Sequence, residues 1–295
     1  MRKIIWWMPV LTLIAALAVP LIRANGSPAF AVANLPTIGF RGEIHRNVVF
    51  DAETGLALDL YVPIGAGPHP VVVFFYGGRW SSGRKEDYAF VATDLAAKGV
   101  LVAVPDYRTY PHVRFPAFVE DAATATAHLV RTIGETGGDP AQITLAGHSA
   151  GAHIAALLVS DARYLAAHGL RPADLAGFVG LAGPYHFVPK AEDLVEIFGP
   201  AERFPQMQAG GFVSGDEPPI LMLYGLADET VGPVNIERME EALAAVGGCW
   251  GVRRYPDVDH VGMIAAFSWT HRARMTVAED VAAFASAPDT HCTTP

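Results

Sequence analysis

The chain has 295 residues, 51% of them apolar and 17% charged, with a formal net charge of −9. An apolar share of that size excludes a disordered polypeptide, and two cysteines exclude a disulfide-built scaffold. An acidic balance of 30 Asp and Glu against 21 Lys and Arg counts against nucleic acid as a partner, because that binding rests on clustered positive charge.

Arg2 and Lys3 precede residues 4–22, which contain no charged side chain. A charged stretch before an apolar one is the pattern of a secretory signal, and Ala29-Phe30-Ala31 and Ala31-Val32-Ala33 both offer small-x-small cleavage sites. The competing reading is an uncleaved membrane anchor, since this stretch at ~1.5 Å per residue reaches about 28 Å, close to the hydrocarbon thickness of a bilayer. In both readings the basic end stays in the cytoplasm and the body is exported, to a periplasmic or extracellular location. Residues 1–33 are therefore expected as signal peptide or N-terminal anchor, and 34–295 as the body. In an oxidising compartment Cys249 and Cys292 can bridge, tying the C-terminal tail to the last strand; the alternative is two unpaired thiols.

Along the body, residues 44–50 and 56–62 have strand character around a hairpin turn at 51–55. Leu56, Leu58, Leu60 and Val62 fall on one face of the second strand. Residues 71–76 and 100–104 are short apolar runs of the kind buried on both faces of a parallel sheet. A helix is expected between them at 87–98. Then come helix 117–133, strand 143–146, helix 150–160, strands 178–181 and 220–224, helix 234–246, strand 250–255 and a closing helix over 262–285. This alternation predicts an α/β fold: a mostly parallel sheet with helices on both faces and antiparallel strands at the N-terminal edge. Residues 184–215 break the rhythm with Pro184, Pro189, Pro200 and Pro205 and are expected as a cap-like insertion over the site, within a single domain.

The chemistry concentrates at Gly147-His148-Ser149-Ala150-Gly151, which follows an apolar strand and opens an alanine-rich helix. In G-x-S-x-G the serine sits on a strained strand-to-helix turn, with glycines on both sides to avoid steric clash. The turn projects the hydroxyl above the sheet and leaves the Ala150 N–H at a helix N-terminus, where it can stabilise a developing oxyanion. His148 is expected beneath the turn as packing. A second turn, Tyr76-Gly77-Gly78-Arg79-Trp80, ends the strand at 71–76, where the other half of an oxyanion hole belongs; its donors would be backbone amides.

A serine hydroxyl needs a base, and the base needs an acid to hold its tautomer. The chain order Ser, Asp or Glu, His selects Asp228, in the loop after strand 220–224, and His260, in the loop before the last helix. Asp257 and Asp259 are expected as helix caps or supporting acceptors, with replacement of Asp228 by one of them as the less direct alternative. His153 is expected in a structural role, His271 on the surface of the final helix, and His186 beside the pocket. Tyr185, Phe187, Phe198, Phe204 and Phe212 either shape an acyl pocket or are plain core.

Gly147-His148-Ser149-Ala150-Gly151-Ala152-His153, Gly77-Gly78-Arg79-Trp80, Asp106-Tyr107-Arg108 and the pair Asp228 and His260 together resemble an α/β-hydrolase. Within that superfamily they resemble the hormone-sensitive-lipase-like carboxylesterases and the kynurenine-formamidase and prenylcysteine-methylesterase branch, over roughly residues 44–285. The resemblance implies an oxyanion motif H-G-G-x-W, whose donors correspond to the amides of Gly78 and Arg79, joined by Ala150. It makes Asp106-Tyr107-Arg108 a structural segment near the site. Tyr76 stands where the family has a histidine that braces the loop. The activity implied is serine-dependent hydrolysis of small to medium carboxylic esters, with a formamide or amide as the alternative substrate for the same triad. An intact set of Ser149, Asp228 and His260 counts against a non-catalytic binding relative. No cofactor or metal is expected: the chain has no zinc-like Cys/His spacing, and no G-x-G-x-x-G follows a strand.

Overall fold

The computed structural model describes residues 27–272 and 275–292, so the expected export segment at 4–22 lies outside the described residues. Among the described residues, no helix is long and apolar enough to cross a membrane.

Eight strands form among the described residues: β1 (Glu43–Val49), β2 (Ala57–Val62), β3 (His69–Phe75), β4 (Leu101–Pro105), β5 (Gly138–His148), β6 (Gly177–Leu181), β7 (Ile220–Gly225) and β8 (Trp250–Tyr255). They join in one sheet in the order β1-β2-β4-β3-β5-β6-β7-β8. The β1/β2 and β2/β4 pairs are antiparallel and the remaining pairs parallel, the expected mostly parallel sheet with an antiparallel N-terminal edge. Strands β4, β6 and β7 are buried along their whole length, as their continuous apolar runs require, because helices cover both faces. Each fully buried Val, Leu or Phe of such a strand contributes about 1.5–3 kcal/mol.

The helices are α1 (Pro28–Ala33), α2 (Ala89–Ala97), α3 (Ala117–Thr132), α4 (Ala150–Ser160), α5 (Ala162–Ala166), α6 (Glu192–Phe198), α7 (Val234–Val246), α8 (His260–Ala265) and α9 (Val277–Ser286). Helix α1, which carries the small-residue pairs named as cleavage sites, packs on the body. The Phe30 ring lies 5.3 Å from that of Tyr88, and Asn34 just beyond the helix accepts the Phe90 N–H at 2.7 Å.

Two expectations are corrected. The closing helix over 262–285 is two helices, α8 and α9. Between them the Ser268 hydroxyl bonds back to the Ala265 carbonyl at 2.6 Å, a side-chain competitor to helical pairing, and the exposed Trp269 donates its indole N–H to the Val32 carbonyl. His271 consequently sits in this connection, hydrogen-bonded to Thr270 at 2.7 Å, and not on a helix. Strand β2 is not one-sided either: Asp59 and Tyr61 are as buried as Leu58 and Leu60. The Asp59 carboxylate is satisfied by Arg46 at 3.0 Å and by the Asn47 N–H at 2.9 Å, where a bulge shifts the β1/β2 register.

Cys249 and Cys292 form a disulfide with a Cα separation of 4.9 Å, fastening the C-terminal end of the chain to the start of β8. Because β3 and β5–β8 run in parallel, their C-terminal ends and the loops that follow share one edge of the sheet. Functional groups of open α/β sheets gather at that edge.

Candidate active site

Ser149 links β5 to α4 with φ +54° and ψ −119°, a backbone conformation that a non-glycine residue holds only when its surroundings enforce it. The enforcement is visible. The Ser149 N–H donates to the Leu181 carbonyl at 2.9 Å, and α4 lies so close to β3 that a Cβ on Gly151 would stand 2.0 Å from the Phe75 carbonyl oxygen.

The His260 side chain, at the start of α8, bridges Ser149 to Asp228 in the loop after β7. His260 Nδ1 lies 2.8 Å from Asp228 Oδ2, and His260 Nε2 lies 2.9 Å from Ser149 Oγ. The other oxygen of Asp228, Oδ1, accepts the N–H groups of Thr230 and Val231, each at 2.8 Å. Burial pushes the Asp228 carboxyl towards a higher pKa. The bonds from His260 and the two amides outweigh that, so its pKa falls below the ordinary value and the group stays ionised. An ionised carboxylate only accepts, so Nδ1 carries the imidazole proton and Nε2 offers its lone pair to the serine hydroxyl. His260 opens α8, and the preceding Asp259 caps that helix through the Gly262 N–H at 2.6 Å, one of the roles expected of it. Asp257 and Glu229 are exposed.

The loop after β3 runs alongside the serine turn: a Cβ on Gly77 would stand 3.3 Å from Ser149 Cβ. Gly78, at φ +140°, passes so close to the Ser82 carbonyl oxygen that a Cβ there would be 2.1 Å from it, and Arg79 and Trp80 follow at φ +55° and +57°. Tyr76 fixes the loop from below. Its hydroxyl donates to Asp106 Oδ1 at 3.1 Å, its carbonyl accepts the Tyr107 hydroxyl at 2.7 Å, and its ring stacks on Tyr107 with centroids 4.5 Å apart. Burial raises the Tyr76 pKa well above the ordinary value, so the phenol remains a neutral donor. Arg108 closes the segment with a bidentate pair to Asp121.

Residues 184–215 are held to the loop after β3 and to the segment before α3. The Arg79 guanidinium makes two bonds to Asp193 of α6, at 2.7 and 2.9 Å, and the Phe115 N–H donates to the Ile197 carbonyl. Trp80 stacks on Phe187 and meets Phe198 edge-on, with His153 against the same ring. Of the five aromatic residues named for the insertion, Tyr185 and Phe198 are fully buried core, whereas Phe187, Phe204 and Phe212 are partly exposed. His153 bonds the Met207 carbonyl at 2.7 Å, a structural role, and His186 is exposed, its N–H held by Asn235. His148 does more than pack: its Nε2 lies 3.0 Å from the His260 carbonyl oxygen. Sequence alone offered no signal for that contact, which spans 112 positions.

Comparison with known proteins agrees with this architecture. The BD-FAE family model matches residues 58–168. The isoprenylcysteine alpha-carbonyl methylesterase ICME of Arabidopsis thaliana is 31% identical over 70% of this chain and 54% of its own length. Esterase LipQ of Mycobacterium tuberculosis is 30% identical over 73% of this chain and 54% of its own. The chain thus spans about half the length of these curated relatives. Among solved structures, Thermogutta terrifontis esterase 2 phosphonylated by sarin superposes with a TM-score of 0.69 at 23% identity, covering 82% of this chain and 92% of that one. From its sheet order, its strand-to-helix serine turn and these neighbours, the chain has the α/β-hydrolase fold, with residues 58–168 matching the BD-FAE family model.

Proposed function

We propose that the chain is a serine carboxylesterase that hydrolyses small to medium carboxylic esters through an acyl-enzyme. The observation that carries the reading is the His260 ring, 2.8 Å from Asp228 on one side and 2.9 Å from Ser149 Oγ on the other. Ser149 Oγ attacks the ester carbonyl as His260 Nε2 takes its proton, and Asp228 stabilises the imidazolium that forms. The tetrahedral oxyanion is held by the N–H groups of Ala150, Gly78 and Arg79. The C–O bond to the leaving alcohol then breaks, His260 returns the proton to that alcohol, and Ser149 is left acylated. Water, activated by the same imidazole, releases the acid. The esterase and methylesterase names of the relatives support an ester as substrate. Export belongs to the same proposal, with the body released or anchored outside the cytoplasm; a disulfide suits an oxidising compartment.

The test offers purified protein a series of 4-nitrophenyl esters from acetate to laurate, beside an N-formyl arylamine. Ester turnover with a preference for the shorter acyl chains is the expected outcome. Formamide turnover exceeding that of every ester would overturn the ester assignment and support the formamidase alternative.

A further inference from the structure

His148 stands where the serine turn, the loop after β3 and the base meet. Its Nε2 is 3.0 Å from the His260 carbonyl oxygen. A carbonyl only accepts, so Nε2 carries the ring's proton and donates it. Nδ1 is then a bare acceptor, buried and without a hydrogen-bond partner among the described residues, 3.0 Å from where a Cβ on Gly77 would stand. The His148 and His260 rings lie with centroids 4.9 Å apart, tilted by 42°. A residue needed only to fill this space would be apolar, because an imidazole with one unpaired nitrogen is costly to bury. In return the ring makes a hydrogen bond to the main chain of the base itself. Being neutral, it adds no repulsion to the imidazolium that His260 becomes.

We infer that His148 is a positioning residue: its Nε2–H bond to the His260 carbonyl sets the base's ring between Asp228 and Ser149. The inference rests on the triad reading above and deepens it, since His148 acts through His260 and touches no substrate. Reaction geometry is unforgiving, and a base displaced by about 1 Å costs on the order of a hundredfold in rate.

The test compares His148→Gln, His148→Asn and His148→Leu with the unaltered protein, using 4-nitrophenyl butyrate as probe and thermal midpoints as a check on folding. A glutamine amide reaches the place of Nε2, whereas an asparagine amide stops near Nδ1. His148→Leu and His148→Asn are expected to lower kcat about ten- to a hundredfold with KM within about twofold, and His148→Gln to recover most of the loss. A readout independent of turnover accompanies this. The His260 Nδ1 proton resonance of the Asp228 bond is expected to persist in His148→Gln and to broaden by exchange in His148→Asn. Should His148→Leu fail to fold, the Gln and Asn pair decides. The inference is overturned if a folded His148→Asn keeps both kcat and the resonance, or if His148→Gln loses as much as His148→Asn. An unaltered protein that turns over no ester contradicts the proposed function instead, and the resonance still decides the role of His148.

Discussion

Tyr76 shows at the scale of one residue how this chain meets a requirement by a different side chain. Where the resemblance implies a histidine, the phenol reaches Asp106, which is itself held by the Lys85 N–H at 2.9 Å and the Lys85 ammonium at 3.1 Å. The Gly77 N–H donates to the Tyr88 hydroxyl at 3.2 Å, so stacked tyrosines and a carboxylate together brace the loop. Tyr76→Phe keeps the stacking and the Tyr107 hydroxyl's bond to the Tyr76 carbonyl, and removes the hydroxyl's bonds to Asp106 and from the Tyr107 N–H. It is expected to destabilise the protein by about 0.5–1.5 kcal/mol and to lower kcat by less than about tenfold. Urea midpoints and ester kinetics check this. A hundredfold loss of kcat at unchanged stability would mean that the Tyr76 hydroxyl, through its bonds to Asp106 and Tyr107, sets the loop.

At the scale of elements, the turn before α4 and its first turn carry two buried imidazoles with a consequence for acid stability. Burial pushes His148 down to about 3, and burial likewise takes His153 down to about 4. Their folded pKa values lie below the unfolded value near 6.5, so the unfolded chain binds more protons. The stability they leave intact above pH ~6.5 is lost as pH falls, by about 1.4 kcal/mol per unit per group. Asp87, raised to about 6 mainly by burial, acts in the opposite direction. The clean measurement is therefore a difference between variants. His153→Gln, which can still donate to the Met207 carbonyl, is expected to flatten the stability–pH slope between pH 5 and 6.5 by about one proton. An unchanged slope would show that His153 already titrates normally in the folded protein.

The elements also show where sequence reading works. The Gly147–Gly151 pentapeptide is contiguous, so its strand-to-helix context can be read directly, and α4, α7 and β8 lie where the pattern puts them, whereas β5 begins five residues before the expected 143–146. The chain order of serine, aspartate and histidine sufficed to name His260, which bonds Ser149 in the structure, and Asp228, which bonds His260. Local composition could not reveal the break between α8 and α9, because it depends on a hydroxyl bonding back to the helix and on an indole reaching Val32. Nor could it reveal the Arg79–Asp193 and His148–His260 contacts, which exist only once distant loops share one edge of the sheet. Asp59 was equally hidden: an acid amid alternating apolar residues looks exposed until a bulge supplies its partners.

For the whole molecule, the disulfide between Cys249 and Cys292 closes a loop with a sequence separation of 43. In the chain-entropy model that constraint contributes about 4 kcal/mol. Reduction, or Cys292→Ser together with Cys249→Ser, is expected to lower stability by about 2–4 kcal/mol, with the sheet and the serine site intact. Thermal midpoints with and without reductant measure it, and an unchanged midpoint would show that the tail contributes nothing to the folded state.

The most direct measurement is covalent. A fluorophosphonate is incubated with the purified protein and with its Ser149→Ala variant, adducts are located by peptide mass, and ester turnover is followed in parallel. One adduct per chain on Ser149, with turnover lost in the variant, is the outcome expected of a serine esterase. Ester hydrolysis that survives Ser149→Ala, or an adduct on a different serine, would contradict it.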